Sequence, residues 1–332
     1  MEAIIKTRNL LGKQVGEIGF GCMNFSHAYS GKLSENDAID LLHKAYDLGV
    51  DHFDTAALYG FGENERIVGK GIKPFRDKIL LASKCGMTGV NGKRTIDGSP
   101  KAIEATLNNA LKSLQTDFID LYYLHRIDPN VPVEDSVGAL ANAVKAGKIG
   151  AIGLSEASAE TLVRAHAIHP IAAMQTEYSL WTRNAEIAVL KKCEELDVAF
   201  VGFSPLARGY LSNTFAHIDD LDSGDIRRGM PRFQGENWVQ NRRIFAQFAA
   251  LANEAECTPA QLAIHWVLKQ ADNIHALPGT RFITHLEENL RASELTIDSN
   301  ILVRAGQLIN QETVQGPRYP AAAQADIDTE EF

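Results

Sequence analysis

FIDLYYLHRIDPNVPVEDSVGALANAVKAGKIGAIGLS (118–155) is the stretch that decides the fold. It opens on an apolar run of β-forming residues, FIDLYYLH (118–125), and closes on another, IGAIGLS (149–155). Between them, EDSVGALANAVKAGK (134–148) repeats its apolar positions with a helical period. A strand, a helix and a second strand at this spacing make a crossover unit, so the two strands run parallel. The unit recurs outward in both directions. GEIGFGCM (16–23), VDHFDT (50–55) and ILLASK (79–84) precede it; AAMQTEY (172–178), VAFVGFS (198–204) and NIHALPG (273–279) follow. Helical patterns such as NDAIDLLHKAYDLG (36–49), KAIEATLNNALKSLQ (101–115) and PAQLAIHWVLKQ (259–270) lie between the runs. Strands this continuously apolar need helices over their outer face. A doubly wound open sheet and a closed barrel both satisfy that. The count of eight runs favours the barrel, and no G-x-G-x-x-G follows the first strand to mark a dinucleotide-binding half. The expected fold is α/β, a (β/α)8 TIM barrel.

Local signals agree with these boundaries. Ser34 precedes a first turn carrying Glu35 and Asp37, and Ser99-Pro100 sets proline at an early helical position. Gly49 and Gly147 follow their helices as C-terminal glycines do. AIIKTRNLLGKQVGEIG (3–19) alternates around a Gly-Lys turn and is expected to form an N-terminal β-hairpin closing the bottom of the barrel. SNTFAHIDDLDSGDIRRGMPRFQGEN (212–237) has no periodicity. A connection that long, placed after the seventh strand, is expected to lie over the barrel mouth. Residues 1–313 read as a single barrel domain carrying this loop, and 314–332 as an acidic, flexible C-terminal tail.

The composition is that of a globular protein, with 45% hydrophobic and 23% charged residues in 332. The formal net charge of −9, with Asp326, Asp328, Glu330 and Glu331 near the end, argues against nucleic acid and anionic membranes as partners. No apolar run approaches the ~18 residues that suggest a membrane span, and no secretory signal core is present. Cys22, Cys85, Cys193 and Cys257 lie far apart without metal-ligand spacing and read as reduced thiols of a cytoplasmic protein. Cys85 follows Lys84, yet reads as buried and inert rather than reactive. A monomer or small homo-oligomer is expected.

Four ionisable residues fall at the C-terminal ends of successive strands, the active face of such a barrel. Asp54 ends the second, Tyr59 follows five residues later, Lys84 ends the third and His125 the fourth. Singly, each has an ordinary structural reading: a packing tyrosine, a core histidine, a salt bridge. Together they suit carbonyl reduction, which needs a hydride on carbon and a proton on oxygen. A phenol, with a pKa of about 10, gives up its proton more readily when an ammonium stabilises the anion. A buried ammonium in turn needs a carboxylate to stay charged. The expected chain runs Asp54 to Lys84 to Tyr59, with Tyr59 as proton donor and His125 orienting the carbonyl, assisting proton transfer, or both.

GVDHFDTAALYG (49–60), ASKCG (82–86), DLYYLHRID (120–128), GKIGAIGLSEAS (147–158), FSPLARGYL (203–211) and LPGTRFITHLEENL (277–290) resemble, in order, the signatures of the aldo-keto reductase superfamily. The resemblance implies a (β/α)8 barrel, an NADP(H) cofactor bound extended without a Rossmann domain, and catalytic roles for Asp54, Tyr59, Lys84 and His125. It implies cofactor contacts at Gly21 and Met23, and at Ser155 and Gln175 for the nicotinamide carboxamide. Glu156 stands where the family commonly has Asn; a carboxylate there accepts a hydrogen bond and cannot donate one. This Ser-Glu pair resembles one branch of the superfamily, that of pyridoxal and varied aldehyde reductases. Phe203 matches the aromatic stacked on nicotinamide, and Ser204, Pro205, Leu206 and Gly209 the pyrophosphate wall, with Arg208 offering charge. Pro278, Gly279, Thr280 and Arg281 lead to the 2′-phosphate, a reading tempered by His285 where arginine is frequent. Glu288 and Asn289 match the adenine contacts.

Phe25, Tyr29, Ile127, Tyr178, Trp181 and Trp238 are expected to line the pocket of a small carbonyl substrate, and no metal is expected. Two other functions compete. A barrel that binds nicotinamide nucleotide to sense redox state or regulate a partner would keep the same residues, but no extra partner-binding domain is visible. A metal-dependent hydrolase would need His and carboxylate ligands at several strand ends, where only Asp54 and His125 stand, with Lys84 between them.

Overall fold

The computed structural model describes residues 5–90 and 93–332. Eight strands form one parallel sheet in chain order. They are β1 (Phe20–Gly21), β2 (His52–Asp54), β3 (Leu80–Cys85), β4 (Ile119–Leu124), β5 (Ile149–Ser155), β6 (Ile171–Glu177), β7 (Ala199–Phe203) and β8 (Ile274–Leu277). The sheet closes on itself. Ile18 bridges Ala276 in parallel, the Gly19 N–H donates to the Ala276 carbonyl at 2.9 Å, and the Ala276 N–H donates to Glu17 at 2.8 Å. Helices α1 (Glu35–Asp47), α2 (Glu63–Ile72), α3 (Pro100–Ser113), α4 (Val133–Lys145), α5 (Ala159–Ile168) and α6 (Val189–Glu195) follow the first six strands. Helices α7 (Gly235–Glu254) and α8 (Pro259–Leu268) follow β7, and α9 (Ile283–Arg291) and α10 (Ser299–Leu308) follow β8. The architecture is a (β/α)8 barrel. Among the described residues, no helix is long and apolar enough to cross a membrane.

Two cores follow from the period-two alternation of the strands. Outward residues such as Phe53, Leu81, Tyr122, Leu124, Ile152 and Leu154 pack under the helices. Inward residues Leu80, Ala82, Leu121, Tyr123, Ala173 and Val201 fill the barrel. Room for the Tyr123 ring depends on Gly153, where a Cβ would stand 2.3 Å from it. The hairpin Thr7–Leu10 with Lys13–Gly16 drives Leu10 and Val15 into this interior core from below. Each buried side chain contributes about 1.5–3 kcal/mol. Its turn is Leu11-Gly12, both left-handed (φ 59° and 71°), rather than Gly-Lys. Residues 3 and 4 of the expected hairpin segment lie outside the described residues.

The helix caps form as read. Ser34 accepts from the Asp37 N–H at 3.2 Å and Ser99 from the Ala102 N–H at 3.3 Å. Two expectations need correction. The 212–237 stretch is not wholly irregular: it holds short 3-10 turns at Ile218–Asp220, Ile226–Gly229 and Pro231–Phe233, and α7 starts within it at Gly235. The segment after 313 is docked, not loose. Asp328 accepts from the Ser158 N–H and Glu330 from the Ala159 N–H, each at 2.8 Å, so tail acids meet the positive N-terminus of α5. The acidity that suggested a solvated tail is what attaches it.

Candidate active site

Strand alternation turns His52 and Asp54, and Leu80, Ala82 and Lys84, toward the barrel axis, with the charged member of each set uppermost. Lys84 is completely buried. Its ammonium has three N–H groups and three acceptors: an Asp54 carboxylate oxygen, the Thr55 carbonyl at 2.9 Å and the Tyr59 hydroxyl at 3.4 Å. The second Asp54 oxygen accepts from the Gln175 amide at 2.8 Å. Tyr59 begins a tight turn in which Gly60, Phe61 and Gly62 are all left-handed. A buried lattice anchors that turn: Thr55 donates to Asn64, whose amide donates to the Cys22 carbonyl and to Ser26. A Cβ at Gly60 would come within 2.8 Å of the Ser26 hydroxyl, so glycine serves close approach as well as backbone sign. The His27 ring stacks on Tyr59 at 5.7 Å, and His125 meets its edge at 5.9 Å.

Burial and pairing compete in this cluster. Burial pushes the Asp54 carboxyl up, against the pull of Lys84 and Gln175. Burial also penalises the Lys84 ammonium, but Asp54 and Tyr59 outweigh it and hold the group above its ordinary range. The Tyr59 phenol is raised by burial, with Lys84 drawing it back down. Tyr59 is therefore protonated at neutral pH, beside a cation. His125 is held well below its usual range by burial, then by Arg126 and Lys84, so its imidazole is neutral. Its Nδ1 has no partner among the described residues. Burial likewise pushes the Cys85 thiol up to about 12, in keeping with an inert cysteine.

A cavity of about 980 Å³ opens above this cluster. Asp54, Tyr59 and His125 form one end, with Lys84 behind them. The wall continues through Ser155, Gln175, Phe203, Ser204, Pro205, Leu206, Arg208 and Gly209, and reaches Pro278, Gly279, Thr280, Arg281, His285, Glu288 and Asn289; Gly21 and Met23 also line it. Ser204, Ala207, Arg208 and Gly209 are left-handed, so the wall turns tightly here, with the Ala207 and Gly209 N–H groups bonded back to Ser204 and Leu206. At the far end α9 starts without a side-chain cap or an acidic residue in its first turn, beside Arg281 and Thr280. An elongated molecule with anionic groups at its middle and far end fits this donor set.

Glu156 alone among the expected cofactor residues lies outside the wall. Its backbone is left-handed (φ 56°), and its carboxylate takes a bidentate pair from the Arg318 guanidinium at 2.7 and 2.5 Å, plus the Glu177 N–H at 2.8 Å. The pair with Arg318 satisfies the acid internally and depresses it despite burial. Arg208 lines the cavity, but its charge is matched by Glu177 at 2.6 Å, and Tyr319 joins the same carboxylate at 2.9 Å. The six residues expected at the substrate pocket are placed differently from one another. Only Tyr29 lines the cavity. Phe25 packs against Phe20, Ile127 against the outer core, and Tyr178 donates to Glu186 while meeting Phe200 edge-on. Trp181 stacks on Tyr210 at 4.1 Å and Trp238 on Phe215 at 5.3 Å. These aromatics bury large apolar area against one another near the mouth.

The residues that do line the catalytic end beside Tyr29 include His27, Leu58, Phe61, Met87, Arg94 and Arg126. Arg126 was legible as the neighbour of His125; the others carry no local signal. Ser212–Ala216, Asp220, Leu221, Ile226 and Arg227 of the 212–237 segment also line the cavity. The Asp225 carboxylate accepts from Ser30, the Asp222 carboxylate from the Gly31 N–H, and Arg281 donates to the Gly31 carbonyl.

Comparison with known proteins gives a consistent result. The sequence model of the aldo/keto reductase family matches residues 17–305. A probable aldo-keto reductase 1 of Glycine max is 40% identical over 310 residues, covering 93% of this chain and 89% of the relative. The aldo-keto reductase yakc [NADP(+)] of Schizosaccharomyces pombe is 39% identical over 330 residues, 97% of each chain. Among solved structures, a glycerol dehydrogenase from Gluconobacter oxydans superposes with a TM-score of 0.84 at 24% identity, over 95% of this chain and 98% of its own. That last likeness speaks to the fold.

Proposed function

The chain belongs to the aldo/keto reductase family, and on that premise we propose that it reduces aldehydes or ketones to alcohols with NADPH, Tyr59 giving the proton. The observation that carries the reading is the fully used Lys84 ammonium, shared between Asp54, Thr55 and Tyr59. When bound, NADPH supplies the hydride that reaches the carbonyl carbon. The protein's task is the oxygen. Tyr59 donates its proton as negative charge develops there, and the phenolate left behind faces a cation that is already in place and needs no reorganisation. Asp54 keeps that cation charged, and Gln175 keeps Asp54 aimed. His125, neutral, is suited to donating one N–H to the carbonyl and orienting it, rather than to acting as an imidazolium acid.

The cofactor assignment rests on the cavity's far end. Arg281, Thr280 and the uncapped start of α9 suit a phosphate on the adenosine ribose, and the left-handed run at Ser204–Gly209 suits the pyrophosphate. The name of the Schizosaccharomyces pombe relative, which carries NADP(+), agrees. Glu156 is left out of carboxamide binding in this reading; Ser155 and Gln175 share it. Stopped-flow measurement with a panel of aldehydes tests the chemistry. Tyr59→Phe is expected to keep NADPH binding and lose turnover ~10²–10⁴-fold, the span of a general acid. Undiminished turnover in that variant removes Tyr59 as the proton donor.

A further inference from the structure

The cations lining the cavity are nearly all matched. Arg208 pairs with Glu177 at 2.6 Å, Arg227 with Asp225 at 2.7 Å, and Arg94 with Asp326. Arg281 has the Gly31 carbonyl and, on the reading above, a cofactor phosphate. Arg126 differs. Among the described residues its guanidinium has no carboxylate within 4.0 Å; it donates through Nη1 alone, to the His125 carbonyl at 2.6 Å and the Ser155 hydroxyl at 3.4 Å. Both acceptors are neutral, and both sit at the catalytic end, where Tyr59 and His125 share the wall. Its Nε and Nη2 have no partner there. A half-buried guanidinium with a free edge and no counter-ion is a receptor for an anion, and its planar fork matches a carboxylate.

On the reading above, the cofactor's phosphates are assigned to Ser204–Gly209 and to Thr280 and Arg281, none of which Arg126 is hydrogen-bonded to. Apart from Arg94, which Asp326 pairs, the other lining residues named at this end are apolar or aromatic: Leu58, Phe61, Met87 and the His27 ring. Phe61 is 54% exposed while lining the cavity, an apolar face with room for a partner. We propose that the carbonyl compound this protein reduces carries a carboxylate next to an apolar body, and that Arg126 binds that carboxylate while Tyr59 and His125 address the carbonyl. Substrate specificity then rests on one unpaired arginine adjacent in sequence to the orienting histidine. The inference deepens the reductase reading and depends on it.

The test uses the purified protein, NADPH, and 2-, 3- and 4-carboxybenzaldehyde, each beside its methyl ester. The quantity read is the ratio of kcat/KM for acid over ester within each protein, so any loss common to both substrates cancels. For at least one isomer the wild type is expected to favour the acid about tenfold or more, carried mainly in KM, as one charged hydrogen-bonded contact allows. Arg126→Gln is expected to bring that ratio near unity, and Arg126→Lys to restore part of it. A wild type that prefers no acid over its ester, or an Arg126→Gln protein that keeps the preference, overturns the inference and leaves the reductase reading standing. Absence of NADPH oxidation with all six compounds and with benzaldehyde overturns both.

Discussion

The barrel mouth holds two buried ion-pair clusters that use the same physics to opposite ends. At β2–β4, Lys84 meets a single carboxylate and spends its remaining capacity on a carbonyl and on Tyr59, a group that can change protonation state. At β5–β7, Arg318 meets two carboxylates, Glu156 and Glu177, which Thr329, Tyr319, Arg208 and a backbone N–H finish saturating. The first cluster opens onto the cavity through Tyr59; the second has Arg318 at 6% exposure and only Arg208 and Tyr319 at its edge. A buried charge becomes chemically useful when one of its neighbours can still titrate. When every neighbour is fully paired it holds segments together instead.

Removing each cation should therefore have different consequences. Lys84→Met is expected to cut kcat/KM ~10²–10⁴-fold, the largest effect, because Tyr59 loses the charge that stabilises its anion. Unfolding should move less, since Lys84 meets one carboxylate where Arg318 meets two. Arg318→Met is expected to do the reverse: destabilise by about 3–5 kcal/mol in denaturant melts, by stranding Glu156 and leaving Glu177 to Arg208 alone, while turnover well below the melting point stays within about tenfold. If Arg318→Met abolishes turnover and spares stability, the contrast between the clusters is inverted. Arg281 is a third case, a cavity cation bonded to the Gly31 carbonyl and proposed above to meet the cofactor's phosphate. Arg281→Ala should weaken NADPH about tenfold and leave NADH unchanged by fluorescence titration, whereas equal weakening would put the phosphate contact elsewhere.

Acid titration gives the smallest and most specific signal. Glu156 and Glu177 are depressed by their arginines despite burial. Depressed carboxyls bind fewer protons folded than unfolded, so the stability they add is complete above the ordinary carboxylate range and is lost as pH falls through their folded values. Asp54, raised by burial, has the opposite sign: its contribution falls as pH rises through its folded value. The stability gap between wild type and Arg318→Met should therefore narrow below about pH 4, measured by urea melts at several pH values. A gap that stays constant into strong acid would mean these carboxyls are not held down by the arginine.

Sequence legibility divides along the same line. The run IGAIGLS became β5 at Ile149–Ser155, and Asp54 and Lys84 stand at the strand ends because a period of two dictates which residue faces the axis. The Ser34 and Ser99 caps are likewise local in origin. Glu156 was misread because its partner lies 162 residues away, and no neighbouring residue announces a left-handed backbone that swings its carboxylate out of the cavity. Trp181 and Trp238 stack on other rings, and an aromatic near a strand end has the same local pattern whether it meets a ligand or another ring. The docked tail was missed for a related reason. Acidic residues read as repelling until the N-terminus of α5 is set beside them.

The reach of Arg318 also bears on how the chain assembles during translation. Glu156 emerges 162 residues ahead of the guanidinium that neutralises it. A nascent barrel that has completed β8 at Leu277 thus still carries one uncompensated acid, Glu156, while Glu177 already has Arg208. Tyr319, the wall residue next to Arg318, arrives with the neutralising charge. Closing the sheet and finishing the cavity are consequently separate events, and the later one waits for a single arginine.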